Sequence, residues 1–100
     1  MQRDPSLVDL GFLADTFRAL ADPRRLLILH TLMEGVQCNC ELGETLDMAP
    51  NLVSHHLRLL RATRLVSPER RGKQIFYRVH DAHIAHVISD MIAHVNEEAE

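Results

Sequence analysis

A chain of 100 residues and 11.4 kDa holds one domain, 1–100, because two pieces of half this length could not each bury a core. Hydrophobic residues at 46% and charged ones at 25% exclude wholesale disorder. No run nears the ~18 apolar residues of a membrane span, and Met1 to Pro5 opens no signal-peptide hydrophobic region, so the cytoplasm is the expected location.

The formal net charge of −3 conceals a division. Residues 51–80 carry seven basic side chains (Arg58, Arg61, Arg64, Arg70, Arg71, Lys73, Arg78) against Glu69, a net of +6, and the remainder carries −9. Such segregation offers a polyanion one face while the rest keeps the chain soluble, although a solvated charged surface would look the same. Cys38 and Cys40 are too close in sequence for a disulfide framework and are read as reduced thiols. Of seven histidines, four fall between His80 and His94.

In chain order, Leu7, Val8, Leu10, Phe12, Leu13, Phe17 and Leu20 place an apolar stripe on a first helix, about Leu7 to Ala19. Asp22-Pro23 is an N-cap followed by proline at the first helical position, which predicts a helix from Pro23 to Met33. A short helix over about Cys40 to Leu46 comes next, then a tight turn, Asp47-Met48-Ala49-Pro50. The helix opened by Pro50 is predicted over about 50–63. At 100° per residue it puts Val53, Leu57 and Leu60 on one side and Asn51, Ser54, His55 and Arg58 on the other. From Leu65 the period changes to two, Gln74, Phe76 and Arg78 alternating with Ile75, Tyr77 and Val79. Residues 65–79 thus read as a hairpin with the basic tip Arg70-Arg71-Gly72-Lys73. Asp81 caps a last helix reaching about Glu97.

The fold class is therefore mainly α with a small β-hairpin, in the order α-α-α-α-β-β-α of a winged helix-turn-helix. A helix of this width fits the major groove of double-stranded DNA, where Asn51, Ser54, His55 and Arg58 can read base edges. Arg70, Arg71, Lys73 and Gln74 of the wing sit where they can meet phosphates and hold the register. Some winged helices bind proteins instead; the +6 confined to this unit favours DNA.

Three runs carry a resemblance: Val53 to Leu60 with Arg64-Leu65-Val66-Ser67, Arg71-Gly72-Lys73-Gln74-Ile75-Phe76-Tyr77, and Phe17 to Leu26. Over about residues 12 to 97 the chain resembles the ArsR/SmtB family of metal-responsive bacterial repressors. The resemblance implies a homodimer joined through its N- and C-terminal helices, acting at the nucleoid. Two reading helices would lie on a palindromic operator, and an effector would relieve repression.

On the last helix, Ile84, Val87, Ile88, Met91 and Val95 form an apolar stripe, and His83, His86, Asp90, His94 and Glu97 recur on another face. Asp81 and His83 are neighbours, as are His94 and Glu97, but the pairs lie roughly 16 Å apart along one helix at about 1.5 Å per residue. One chain cannot close a tetrahedral site with bonds of about 2 Å across that gap. Two antiparallel copies crossing near Ser89 can, giving two symmetric sites of two imidazoles and two carboxylates that suit Zn(II). The spacing alone leaves a solvated polar face open. The pattern Asp81-x-His83, ten residues, His94-x-x-Glu97 resembles the complete C-terminal-helix site of the SmtB-type zinc sensors. Co(II) is a possible substitute, Cu(II) would bind tightly by affinity order, and a site of higher coordination would recruit His86.

Cys38 and Cys40 stand at the start of the short helix, where the dipole favours thiolate. The family carries a soft-ion site here, and the match is partial. Arsenite sensors have a third cysteine where this chain has Gly43, and cadmium and lead sensors add ligands from the N-terminus, where residues 1–20 contain neither Cys nor His. Glu41 and Glu44 are weak additions. A second site for a soft ion such as Cd(II), a redox dithiol and ordinary structural cysteines all stay open. An enzyme is not expected: four protein ligands leave no open position for water, no other polar residues cluster as a substrate pocket, and no small organic substrate is expected.

Overall fold

A computed structural model describes residues 9–98. The elements run α1 (Leu10–Leu20), α2 (Pro23–Leu32), β1 (Gln37–Cys38), α3 (Asn39–Leu46), α4 (Pro50–Ala62), β2 (Val66–Arg71), β3 (Gln74–Val79) and α5 (Ala82–Glu98). Leu7 and Val8, expected on the first helix, lie outside the described residues.

Local chemistry sets most of these boundaries. Asp9 Oδ1 accepts from the Phe12 amide at 2.9 Å and starts α1. Asp22 Oδ1 accepts from the amides of Arg24 (2.8 Å) and Arg25 (3.1 Å), with Pro23 at the first helical position. Those amides, Arg25 foremost, hold the Asp22 carboxyl below the usual carboxylate range. Asp47 ends α3 in the left-handed region at φ 54. The Met48 amide reaches back to the Gly43 carbonyl at 3.0 Å.

The core joins α2, α3, α4 and β2. Ile28, Leu29, Leu42, Val53, Leu57, Leu60 and Val66 are fully buried, and Ala19 and Ile88 tie in α1 and α5. The wing is a two-residue hairpin: Arg71 pairs with Gln74, and Gly72 at φ 63 supplies the backbone that the turn Gly72-Lys73 requires.

The sheet has a third strand that the sequence reading did not include. β1 pairs antiparallel with β3, Gln37 opposite Tyr77 and Cys38 opposite Phe76, giving the order β1-β3-β2. Two residues carry no periodicity of their own; β1 forms because α2 delivers it to the free edge of β3. The observed order is thus α-α-β-α-α-β-β-α, a winged helix-turn-helix with α3, the turn and α4 at its centre.

Candidate functional site

α4 keeps its two sides apart. Val53, His56, Leu57 and Leu60 are buried, Asn51, His55 and Arg58 are exposed, and Ser54 is half-buried. Thirteen residues give a rod of about 20 Å, and Pro50 opens it without needing a side-chain cap.

Ser54 is tied to α3, its hydroxyl accepting from Asn39 Nδ2 at 2.5 Å. His56 is a core residue the sequence reading left unassigned, although it stands three residues after Val53 and so on the apolar side. Its Nδ1 lies 3.5 Å from Arg25 Nη1, and its Nε2 is buried with no partner. Arg25 also donates from Nε to the Ala19 carbonyl at 2.7 Å and lies 3.8 Å from the Asp22 carboxylate. Burial lowers the His56 pKa, outweighing the pull of Asp22 in the opposite direction.

In the wing, Arg70, Arg71, Lys73 and Gln74 are all exposed. The Arg71 guanidinium lies 4.8 Å from the Phe76 ring centroid and donates to Glu69 at 2.7 Å, so the wing's own side chains hold it. Arg64, left-handed at φ 59 just past α4, sits over the Phe12 ring at 5.0 Å and braces α1. His80 Nδ1 meets Ser67 Oγ at 2.6 Å across the base of the hairpin.

α5 runs unbroken from Ala82 to Glu98, and Asp81 Oδ1 accepts from the Ile84 amide at 3.1 Å. Asp81 and His83 stand at its start, His94 and Glu97 in its last turns, all exposed. Among the described residues, no three Cys, His, Asp or Glu side chains of one chain converge on a metal-sized site. Ile88 is buried and Ile84 packs partly buried against the core, but the rest of the apolar stripe is bare: Val87 is 48% exposed, Met91 55% and Val95 59%. With Phe17, Leu20 and Leu26 these side chains line an open apolar groove.

The cysteines are not equivalent. Cys38 is buried and is itself the N-cap of α3: its Sγ accepts from the Glu41 amide at 3.4 Å while Glu41 Oε1 accepts from the Cys38 amide at 2.8 Å. Cys40 is exposed, its Sγ 2.7 Å from that of Cys38. Burial, with the contact to Cys40 next, pushes the Cys38 thiol up. This corrects the expectation that the helix dipole favours thiolate there: at Cys38, loss of hydration outweighs the dipole. Gly43 is constrained as well, since a Cβ there would lie 3.1 Å from the Met48 carbonyl oxygen. A cysteine at that position would press on the turn before α4.

Residues 22–67 match the model of the bacterial regulatory proteins of the arsR family. The HTH-type transcriptional repressor SmtB of Mycobacterium tuberculosis is 41% identical over 85 residues, 85% of this chain and 63% of that protein, so the chain spans less than two thirds of that relative. A CadC homologue of Staphylococcus aureus, a cadmium resistance transcriptional regulatory protein, is 31% identical over 87 residues, covering 86% of this chain and 72% of its own. Among solved structures, the homodimeric winged helix-turn-helix DNA-binding domain of a possible ArsR-family transcriptional regulator from Mycobacterium bovis superposes with a TM-score of 0.89. It is 27% identical and covers 100% of this chain and 93% of that one. The polar face of α4 beside a basic wing, the bare stripe of α5 and these matches agree: the chain belongs to the arsR family of bacterial regulatory proteins.

Proposed function

We propose that the chain is a transcriptional repressor that binds operator DNA as a homodimer and leaves it when Zn(II) binds between the two α5 helices. The carrying observation is that α5 is one continuous helix with exposed donors at both ends and an exposed apolar stripe between them. A second copy would cover the stripe, and an antiparallel crossing would carry Asp81 and His83 of one protomer toward His94 and Glu97 of its partner.

Asn51, Ser54, His55 and Arg58 would face base edges, while Arg70, Arg71, Lys73 and Gln74 hold the wing against phosphates. Two imidazoles and two carboxylates form a donor set that fits four-coordinate Zn(II) and accepts Co(II). Bound there, the cation supplies bonds between the helices of the dimer seam. Because the α4 helices are carried on that seam, a fixed seam alters their separation, and a typical coupling of about 1–3 kcal/mol weakens DNA binding about five- to 150-fold. Nothing in this reading requires catalysis. The protein's place is the cytoplasm, and no described helix is long and apolar enough to cross a membrane.

The test is fluorescence anisotropy on a labelled upstream fragment at fixed salt. One Zn(II) per protomer should release the wild-type protein and leave His94→Ala bound; release of His94→Ala at the same zinc level contradicts the assignment.

A second reading is favoured by one observation, the two thiols standing side by side at the start of α3 with Cys40 at the surface. In it, Cys38 and Cys40 bind a soft cation such as Cd(II) and sense it. The relative from Staphylococcus aureus is a cadmium resistance regulator. A response to Cd(II) that disappears in Cys38→Ser/Cys40→Ser would establish it, and an unchanged response would remove it.

A further inference from the structure

Asn39 is the first residue of α3, and its side chain crosses to the reading helix. We infer that Asn39 determines specificity through Ser54: it fixes the Ser54 hydroxyl as a hydrogen-bond donor toward DNA, so the base edge met there must offer an acceptor. The inference rests on the DNA-reading face of α4 proposed above and is independent of the effector.

A serine hydroxyl gives one proton, accepts at two lone pairs and rotates to suit. Left free, it meets donor and acceptor edges alike and discriminates little. Thr16, Thr31 and Thr63 turn their hydroxyl protons back to the carbonyl four residues earlier, at 2.9, 2.8 and 3.0 Å. Among the described residues Ser54 makes no such bond; its Oγ accepts from Asn39 Nδ2 at 2.5 Å. That bond occupies a lone pair and leaves the proton for a partner outside the chain. Asn51, His55 and Arg58, the other groups on this side of α4, are exposed, so among the described residues Ser54 is the one that a side-chain bond to another helix orients.

The asparagine carries a penalty that points the same way. Its Oδ1 is buried with no partner, which alanine at this position would avoid. What Asn39 provides is the oriented hydroxyl on α4. In the major groove guanine offers O6 and N7, thymine O4 and adenine N7 as acceptors, whereas cytosine offers its N4 amino group as a donor. Ser54 held as a donor therefore disfavours cytosine at the position it faces in each half-site. Asn39→Asp reverses the polarity, because a carboxylate only accepts. Ser54 then gives its proton to the carboxylate and turns its lone pairs to the groove, where cytosine N4 becomes the better partner. A carboxylate also suits the first turn of a helix, so α3 tolerates the change.

The experiment measures anisotropy on the upstream fragment and on copies with each base pair changed in turn, at fixed salt and without zinc. Ser54→Ala identifies the position: it should flatten a wild-type preference there of about two- to twelve-fold over cytosine, the worth of one hydrogen bond. Asn39→Ala should bring that ratio below about twofold and leave the ratios elsewhere unchanged. Asn39→Asp should invert it in favour of cytosine; the added charge repels the phosphates of every copy alike and cancels in the ratio. If Asn39→Ala does not fold, Asn39→Asp decides. The wild-type ratio kept in the Asn39 variants, with Ser54→Ala flat, overturns the role of Asn39. A ratio that Asn39→Ala flattens and Asn39→Asp does not invert overturns the donor assignment. If Ser54→Ala alters no position, Ser54 reads no base, and that part of the proposed reading face fails with the inference.

Discussion

α4 and α5 are both amphipathic helices with a polar side rich in histidine or arginine, yet they finish their burial differently. α4 hides Val53, His56, Leu57 and Leu60 inside its own chain. α5 buries Ile88, with Ile84 partly covered beside it, and leaves Val87, Met91 and Val95 about half exposed or more. The same kind of pattern thus serves two ends. In α4 the apolar side anchors a rigid platform, so the polar side can be presented to a partner with little loss of order. In α5 the apolar side is the exposed surface, and in the proposed reading the polar groups at its ends come together only once a second helix lies alongside.

The largest effect should come from breaking the α5 side of this comparison. Met91→Asp/Val95→Asp places two carboxylates in the proposed seam, where unpaired charge is costly. Sedimentation should show a monomer that keeps its helical circular dichroism, and DNA affinity should fall by at least about 100-fold because two half-sites are no longer bound together. A stable dimer in this variant would assign the groove another role.

Truncation sharpens the contrast. Leu57→Ala should cost about 2–5 kcal/mol in urea unfolding, as expected for a leucine buried inside the chain. In the monomeric background, Val87→Ala should cost less than about 0.5 kcal/mol, the range of exposed sites. Arg58→Ala should leave stability unchanged and weaken DNA binding by about 1–3 kcal/mol.

The smallest effect concerns pH. His56 has its folded pKa lowered, chiefly by burial. The folded chain therefore holds that proton less tightly than the unfolded one, so the contribution is whole above the unfolded value of about 6.5 and is lost as pH falls toward and through the folded one. Asp22, also lowered, gives up its share only as pH falls below about 4, so the two windows separate. The melting temperature should fall from pH 7 toward about pH 5, and His56→Gln should flatten that slope.

Much of this was legible in the sequence because it depends on local chemistry. Asp22-Pro23, the turn at Asp47 and the 3.6-residue period of α4 each act within a few residues, and their consequences appear where expected. What escaped depends on contacts between segments. β1 exists only through its pairing with β3. His56 meets Arg25 across 31 positions, and Asn39 meets Ser54 across 15. Arg71 turned out to be held by Phe76 and Glu69, a competition within the wing that a charge count does not reveal. Cys38 shows the same limit: its position suggested an activated thiol, and burial decided otherwise.

The central claim, that α5 becomes a metal site only in pairs, has a direct measurement. Asp81→Ala/His83→Ala and His94→Ala/Glu97→Ala proteins would be mixed, the dimers allowed to exchange, and tight zinc counted by competition with a chelator. Each variant alone should bind none, while the mixed dimer should recover one zinc, because one of its two sites then holds all four donors. Tight zinc in either variant alone, or none in the mixture, would contradict a site shared between subunits.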